Sequence, residues 1–179
     1  MILCKRKRTQ MIFIRKSILA LLLGISCCNE DDKEKSLSQN GKVAEIGKIR
    51  LKDLSEQPIN LEKYKGKTIF LNFWATWCKP CIEEMPTIEK AQNILHNEDV
   101  VFLLASGESA EEINAFRNAH DYKFNFARIE NSEELNIQTL PTTFIFNPEG
   151  ELVFLETGYR KWDEKNNIEM IRRTANKND

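Results

Sequence analysis

The sequence predicts a layered α/β domain, a central mixed β-sheet flanked by helices, on three observations. Residues 68–74 (Thr-Ile-Phe-Leu-Asn-Phe-Trp) are a nearly unbroken run of strand formers, the pattern of a central strand covered on both faces. Ile82, Met85, Ile88, Gln92 and Leu95 then recur at helical spacing, and a second apolar strand, 100–105, follows them. Two further strands, 143–146 and 152–157, are joined by the turn Asn147-Pro-Glu-Gly150. A strand–helix–strand unit followed by a hairpin places parallel and antiparallel neighbours in one sheet.

The elements follow in order. Ile49 and Leu51, then Ser-Glu-Gln-Pro, then Ile59 and Leu61 read as a small N-terminal hairpin extending the sheet. Tyr64-Lys-Gly-Lys67 turns the chain into the central strand. The first helix is expected over 80–95, with a kink or a one-turn break at Pro86, whose ring displaces a helical hydrogen bond. Ser109 and Glu112 form a capping box for a helix reaching Ala119 that buries Ile113 and Phe116. A short strand at 124–129 and a helical turn at 132–135 precede the closing hairpin. A last helix, 162–174, faces Ile168 and Ile171 inward.

The 179 residues suffice for one such domain, and the composition excludes disordered and collagen-like chains. The formal charge of −1 conceals a division. Residues 1–26 carry Lys5, Arg6, Lys7, Arg8, Arg15 and Lys16 and no acid, leaving a formal −7 for residues 27–179. The apolar run 17–26 directly after Arg15-Lys16 is about half the roughly 20 residues a membrane span needs, and it fits an export signal. Met11 opens a complete signal by itself. The junction Gly24-Ile-Ser-Cys27 resembles the lipobox of bacterial lipoproteins, with Gly24 where leucine is favoured. It implies a signal peptide over 1–26, lipidation of Cys27 rather than Cys28, and an acidic tether over 27–42 before a domain at 43–175. Plain secretion and an uncleaved N-terminal helix are the alternatives. Acidic residues after such a cysteine also resemble a surface-export address.

Five cysteines do not make a disulfide scaffold; two form a close pair, Cys78-Lys79-Pro80-Cys81, where the central strand hands over to the helix. A thiolate at a helix N-terminus meets unpaired N–H groups and the positive end of the dipole, which lowers its pKa. Cys78, in the exposed first position, is expected to attack, and Cys81, one turn in, to resolve the mixed disulfide. Pro80 suits the first turn and stiffens the loop, and Lys79 adds positive charge. Trp77, next to Cys78, is the candidate substrate-facing surface. Zinc needs about four ligands, and neither His96 nor His120 has a spacing that completes a set. An inert structural disulfide is the other alternative. Nothing matches the Pro-x-x-x-Thr/Ser-x-x-Cys arrangement of a peroxidatic cysteine.

The segment 66–86, Gly-Lys-Thr-Ile-Phe-Leu-Asn-Phe-Trp-Ala-Thr-Trp-Cys-Lys-Pro-Cys-Ile-Glu-Glu-Met-Pro, resembles the TlpA/ResA-like thiol-disulfide oxidoreductases of the thioredoxin superfamily. Leu140-Pro-Thr-Thr-Phe144 matches that family's cis-proline loop, and the resemblance extends over about 43–175. It implies a thioredoxin-like fold, a cis Pro141 facing the attacking cysteine, and Leu140–Thr142 as the edge that pairs with an extended substrate. Asn72 stands where thioredoxin has a buried acid, so proton handling must come from elsewhere. Glu84 matches a glutamate that the ResA-like group places near the thiols, and burial would raise its pKa and let it pass protons to Cys81.

The resemblance further implies a reductant outside the cytoplasm, in a bacterial envelope and facing the periplasm. Its partners would be disulfides of exported proteins or of apocytochrome c and a membrane electron donor, with no cofactor or metal beyond the cysteine pair and no nucleic acid. A disulfide-introducing oxidase and a non-catalytic binding protein on the same fold remain alternatives; intact Cys78, Cys81 and Pro141 argue against the latter.

Overall fold

The computed structural model describes residues 45–176. The expected signal peptide, the whole of the expected tether with Cys27, and the first two residues of the expected domain lie outside them. The described elements are β1 (Leu51–Lys52), β2 (Pro58–Ile59), β3 (Thr68–Trp74), α1 (Lys79–Ile94), β4 (Val100–Ser106), α2 (Ala110–Ala119), β5 (Asn125–Ile129), β6 (Thr142–Phe146), β7 (Leu152–Thr157) and α3 (Lys165–Ala175), with 3-10 turns at Ile46–Lys48 and Leu61–Tyr64.

The seven strands form one sheet in the order β2-β1-β5-β4-β3-β6-β7. β3 runs parallel to β4 and β4 to β5, while β6 pairs antiparallel with both β3 and β7. The hairpin of β1 and β2 joins at the far edge, antiparallel to β5. Every residue of β3 is buried, as an unbroken apolar run in a central strand requires.

Alternation along β3 divides the core. Phe70 and Trp74 face one side with Phe102, Leu104 and Phe126, against Met85 and Ile88 of α1, Ile113 and Phe116 of α2, and Ile168 and Ile171 of α3. Ile69, Leu71 and Phe73 face the other side with Leu103, Ala127 and Phe144, where Ile49, Leu61, Ile137 and Leu140 pack on them. The three described α-helices therefore share one face, and 3-10 turns and loops cover the opposite one. Handedness explains this: β3-α1-β4 and β4-α2-β5 step across the sheet in the same direction, and right-handed crossovers in one direction put both helices on one side.

Local sequence explains most boundaries. The Ser109–Glu112 capping box starts α2, with both reciprocal hydrogen bonds formed. Gly150 closes the β6–β7 turn at φ +84, and a Cβ there would lie 3.0 Å from Ile46 Cγ2. Two expectations are corrected. α1 continues without a break through Pro86; a proline removes only one N–H from the ladder, and the apolar face of α1 stays packed on the sheet. The last helix begins at Lys165, with Glu164 at the N-cap position, so Trp162 lies in the turn before it.

Candidate active site

β3 ends at Trp74, and three residues later the chain enters α1 with Cys78 at its N-cap. Cys78 and Cys81 are joined as a disulfide, with Cα atoms 5.3 Å apart. The Cys81 backbone N–H donates to Cys78 Sγ at 3.3 Å, so the first turn of α1 points a free donor at this sulfur. Lys79 and Pro80 take the next two positions, where a missing proline N–H costs the helix nothing.

The expected exposure of Cys78 is not observed. Its relative exposure is 5%, against 2% for Cys81, because the side chain folds back over the helix start instead of projecting outward. What projects is Trp77, 73% exposed immediately beside it. The Lys79 side chain is also solvent-exposed, and its ammonium lies 3.8 Å from Glu83, along the helix surface.

Strand register brings the second loop to the same end of the sheet. Thr142, the first residue of β6, pairs with Phe73 near the end of β3. The Leu140–Pro141 peptide bond just before it is cis. The Pro141 carbonyl accepts from Gly158 N–H at 2.7 Å, and the Thr142 hydroxyl donates to the Thr139 carbonyl at 2.7 Å. Among the described residues the backbone N–H and C=O of Leu140 have no hydrogen-bond partner. A groove of about 570 Å³ runs between the two loops, lined by Trp77, Leu140, Gln138, Ile137, Ser106 and Glu108 among others.

Below the disulfide, on the α-helical face, the polar residues are spaced along two elements. Asn72 is buried on the same face of β3 as Phe70 and Trp74, and its amide donates to Thr143 Oγ1 at 2.9 Å. Glu84, one helical turn beyond Cys81, is 1% exposed. Burial pushes its carboxyl up from the ordinary 4.5 to about 7, although the Trp162 indole N–H, which donates to Oε1, favours the ionised form. Oε2 is buried without a partner.

Two functional groups escape a reading of the sequence. Trp162 reads there as an apolar helix residue, and its meeting with Glu84 spans 78 positions. Glu108 is given no role by the sequence. Its carboxylate accepts from Thr76 N–H at 2.7 Å, from Thr76 Oγ1 at 2.5 Å and from Ser106 Oγ at 2.9 Å, fastening the loop that carries Trp77 to the end of β4. The motif Ser106-Gly-Glu-Ser109, at a strand end preceding a helix, is the signal that could have marked it.

A model of the AhpC/TSA family matches residues 43–155. The thiol-disulfide oxidoreductase ResA of Halalkalibacterium halodurans is 31% identical over 159 residues, covering 86% of this chain and 89% of that protein. ResA of Bacillus subtilis is 32% identical over 159 residues, covering 85% and 88%. Among solved structures, a thiol:disulfide interchange protein of the thioredoxin family from Chlorobium tepidum superposes with TM-score 0.59 at 19% identity, over 74% of this chain and 98% of that one. With its cysteine pair at the helix start and its cis-proline loop alongside, the chain belongs to the AhpC/TSA family and, within it, to the ResA-like thiol-disulfide oxidoreductases.

Proposed function

We propose that this enzyme reduces disulfides of proteins outside the cytoplasm, with Cys78 as attacking and Cys81 as resolving sulfur. The observation that carries the reading is the Cys81 N–H aimed at Cys78 Sγ from the first turn of α1, a contact that favours a thiolate at Cys78. In the reduced enzyme, Cys78 thiolate attacks one sulfur of a substrate disulfide, forms a mixed disulfide and expels the other as thiolate. Cys81 then attacks Cys78 Sγ, re-forms the internal disulfide and releases the second substrate thiol. Two electrons and two protons pass to the substrate, and a dithiol donor must restore them.

The surrounding groups divide the remaining work. Leu140 offers its unpaired backbone groups to an extended substrate segment, and cis Pro141, with Thr142 closing the turn behind it, keeps that edge open. Trp77 supplies apolar contact area beside the reacting sulfur. Glu84, buried and titrating at about 7, takes the proton from Cys81 and returns it. The cysteine pair is itself the redox group, so no metal or organic cofactor takes part.

Lipidation of Cys27 would hold the domain to the envelope membrane, with residues beyond it as tether. Each buried methylene of the lipid supplies about 0.8 kcal/mol, so several acyl chains anchor firmly. The periplasm is otherwise oxidising, hence the electron donor is a membrane thiol oxidoreductase, and the substrates are exported proteins or apocytochrome c.

Insulin-disulfide turnover by Cys78→Ser and Cys81→Ser tests the order of attack. Turnover should vanish in both, and only Cys81→Ser should accumulate a mixed disulfide. Activity that survives loss of Cys78 would sink the mechanism. The reduction potential of the pair tests direction: a value as oxidising as that of a disulfide-introducing enzyme would reverse the proposed flow.

A further inference from the structure

Glu84 presents two oxygens with unlike surroundings. Oε1 accepts from the Trp162 indole N–H, whereas Oε2 is buried and accepts no hydrogen bond of normal geometry among the described residues; the Arg160 backbone N–H also faces the carboxyl and favours its ionised form. An indole N–H can only donate. Oε1 is therefore an acceptor whether the carboxyl is ionised or neutral, and an arriving proton is directed to Oε2.

Trp162 itself is held on every side. Its ring is fully buried and meets Phe70 edge-on, with centroids 4.7 Å apart and planes at 89°. Its backbone N–H donates to Thr87 Oγ1 at 3.1 Å, and that hydroxyl donates to the Glu84 carbonyl at 2.8 Å, tying the turn to the same helical segment. The Arg160 guanidinium lies 5.6 Å from the Trp162 ring centroid, where Asn167 and Glu156 fix it.

We propose that Trp162 is a positioning residue for proton transfer: it fixes Oε1 and reserves Oε2 as the atom that exchanges a proton with the cysteine pair. The proposal rests on Glu84 acting as the proton relay. The balance is simple. As Cys81 becomes a thiolate its proton passes to Oε2, and it returns to a departing sulfur; no electrons pass through Glu84 or Trp162. The other titratable groups around this site are Cys78 at the N-cap of α1, Cys81 in its first turn, Glu156 in β7 and Arg160 after it. Glu156 opposes ionisation of Glu84 but is itself paired with Arg160. Asp163, beside Trp162 in the chain, pairs with Lys90 of α1 at 3.5 Å.

The test is the indole N–H resonance of Trp162 in the whole protein, oxidised and reduced, over a pH range centred on about 7. It should follow the Glu84 titration and become pH-independent in Glu84→Gln. Trp162→Phe keeps an aromatic ring against Phe70 but removes the donor. It should move the pH profile of cysteine alkylation upward by about one unit, about tenfold in the ionisation constant. An indole resonance that does not titrate, or titrates unchanged in Glu84→Gln, overturns the inference. So does a Trp162→Phe enzyme that is less stable but has the original profile, the signature of a structural role. In each case an altered alkylation profile in Glu84→Gln still leaves the relay standing. A profile unmoved by Glu84→Gln removes the relay, and this inference with it, even if the indole follows Glu84. Should Trp162→Phe fail to fold, the indole resonance of the unmutated protein and of Glu84→Gln decides alone.

Discussion

Two carboxylates that both follow the redox pair in the chain are solvated by the protein in opposite ways. Glu108, half-buried at the end of β4, accepts three hydrogen bonds, two from Thr76 and one from Ser106. Glu84, buried on α1, has the Trp162 indole as its side-chain donor and one oxygen with no partner. A carboxylate that accepts hydrogen bonds from several donors works as a fixed tether. One left short of donors in an apolar setting sits near the point where it gains or loses a proton. The same functional group becomes a clamp on Thr76, just before Cys78, in one place and a titrating group just after Cys81 in the other.

The largest effects should come from the under-satisfied partner. Glu84→Gln keeps the shape and the acceptor for Trp162 but cannot ionise. Insulin-disulfide turnover at neutral pH should fall by about 100-fold, the lower end of general acid–base contributions. The inflection near pH 7 in cysteine reactivity should disappear with it. Unchanged turnover would assign proton handling to solvent.

Stability gives an independent measure. The Glu84 carboxyl titrates at about 7 in the fold and at 4.5 ordinarily. The unfolded chain thus loses its proton first as pH rises. Below about 4.5 both states are neutral and the group costs nothing; between 4.5 and about 7 the folded state becomes progressively less favoured, and above that the penalty is constant. Urea denaturation of the oxidised proteins should show Glu84→Gln gaining on the parent by roughly 3 kcal/mol across that window. A difference that stays flat with pH would mean that water reaches Oε2.

The saturated partner should behave otherwise. Glu108→Ala strands Thr76 and Ser106 and should cost about 1–3 kcal/mol. By loosening the turn that carries Trp77, it should raise KM for a protein disulfide more than it lowers kcat. The pH profile of the cysteines should not move. Thr76→Val removes one of the three donors and should cost about 1 kcal/mol.

The contrast between these acids also marks what the sequence could express. Local signals are legible: the apolar run of β3, the Ser109 cap, the cysteine pair at a helix start and the Leu140–Pro141 loop each depend on residues close in the chain. The acids depend on partners 32 positions away for Glu108 with Thr76, and 78 for Glu84 with Trp162. The sequence reads Trp162 as the first residue of the last helix, which says nothing of its burial or of where its N–H points. The low exposure of Cys78 is equally hidden, since it follows from how the side chain turns at the N-cap. A common helical face is readable only once the strand order is known, because handedness acts on the direction of each crossover.

Lys79 supplies the smallest and most diagnostic effect. It lies next to the attacking cysteine in sequence, and proximity alone suggests that its charge stabilises the thiolate. Its side chain is 87% exposed, however, and its ammonium is directed to Glu83 at 3.8 Å. An exposed pair of this kind contributes at most about 1 kcal/mol and is screened by salt. Lys79→Ala should therefore change stability by less than about 0.5 kcal/mol and slow Cys78 alkylation by no more than a few-fold at low ionic strength, with the difference vanishing in high salt. The consequences of Glu84→Gln, arising in the buried layer, should persist under the same salt. If salt erased both effects, the distinction between a buried titrating group and surface charge would fail. If it erased neither, Lys79 would have to reach the reduced sulfur in a conformation different from the oxidised one.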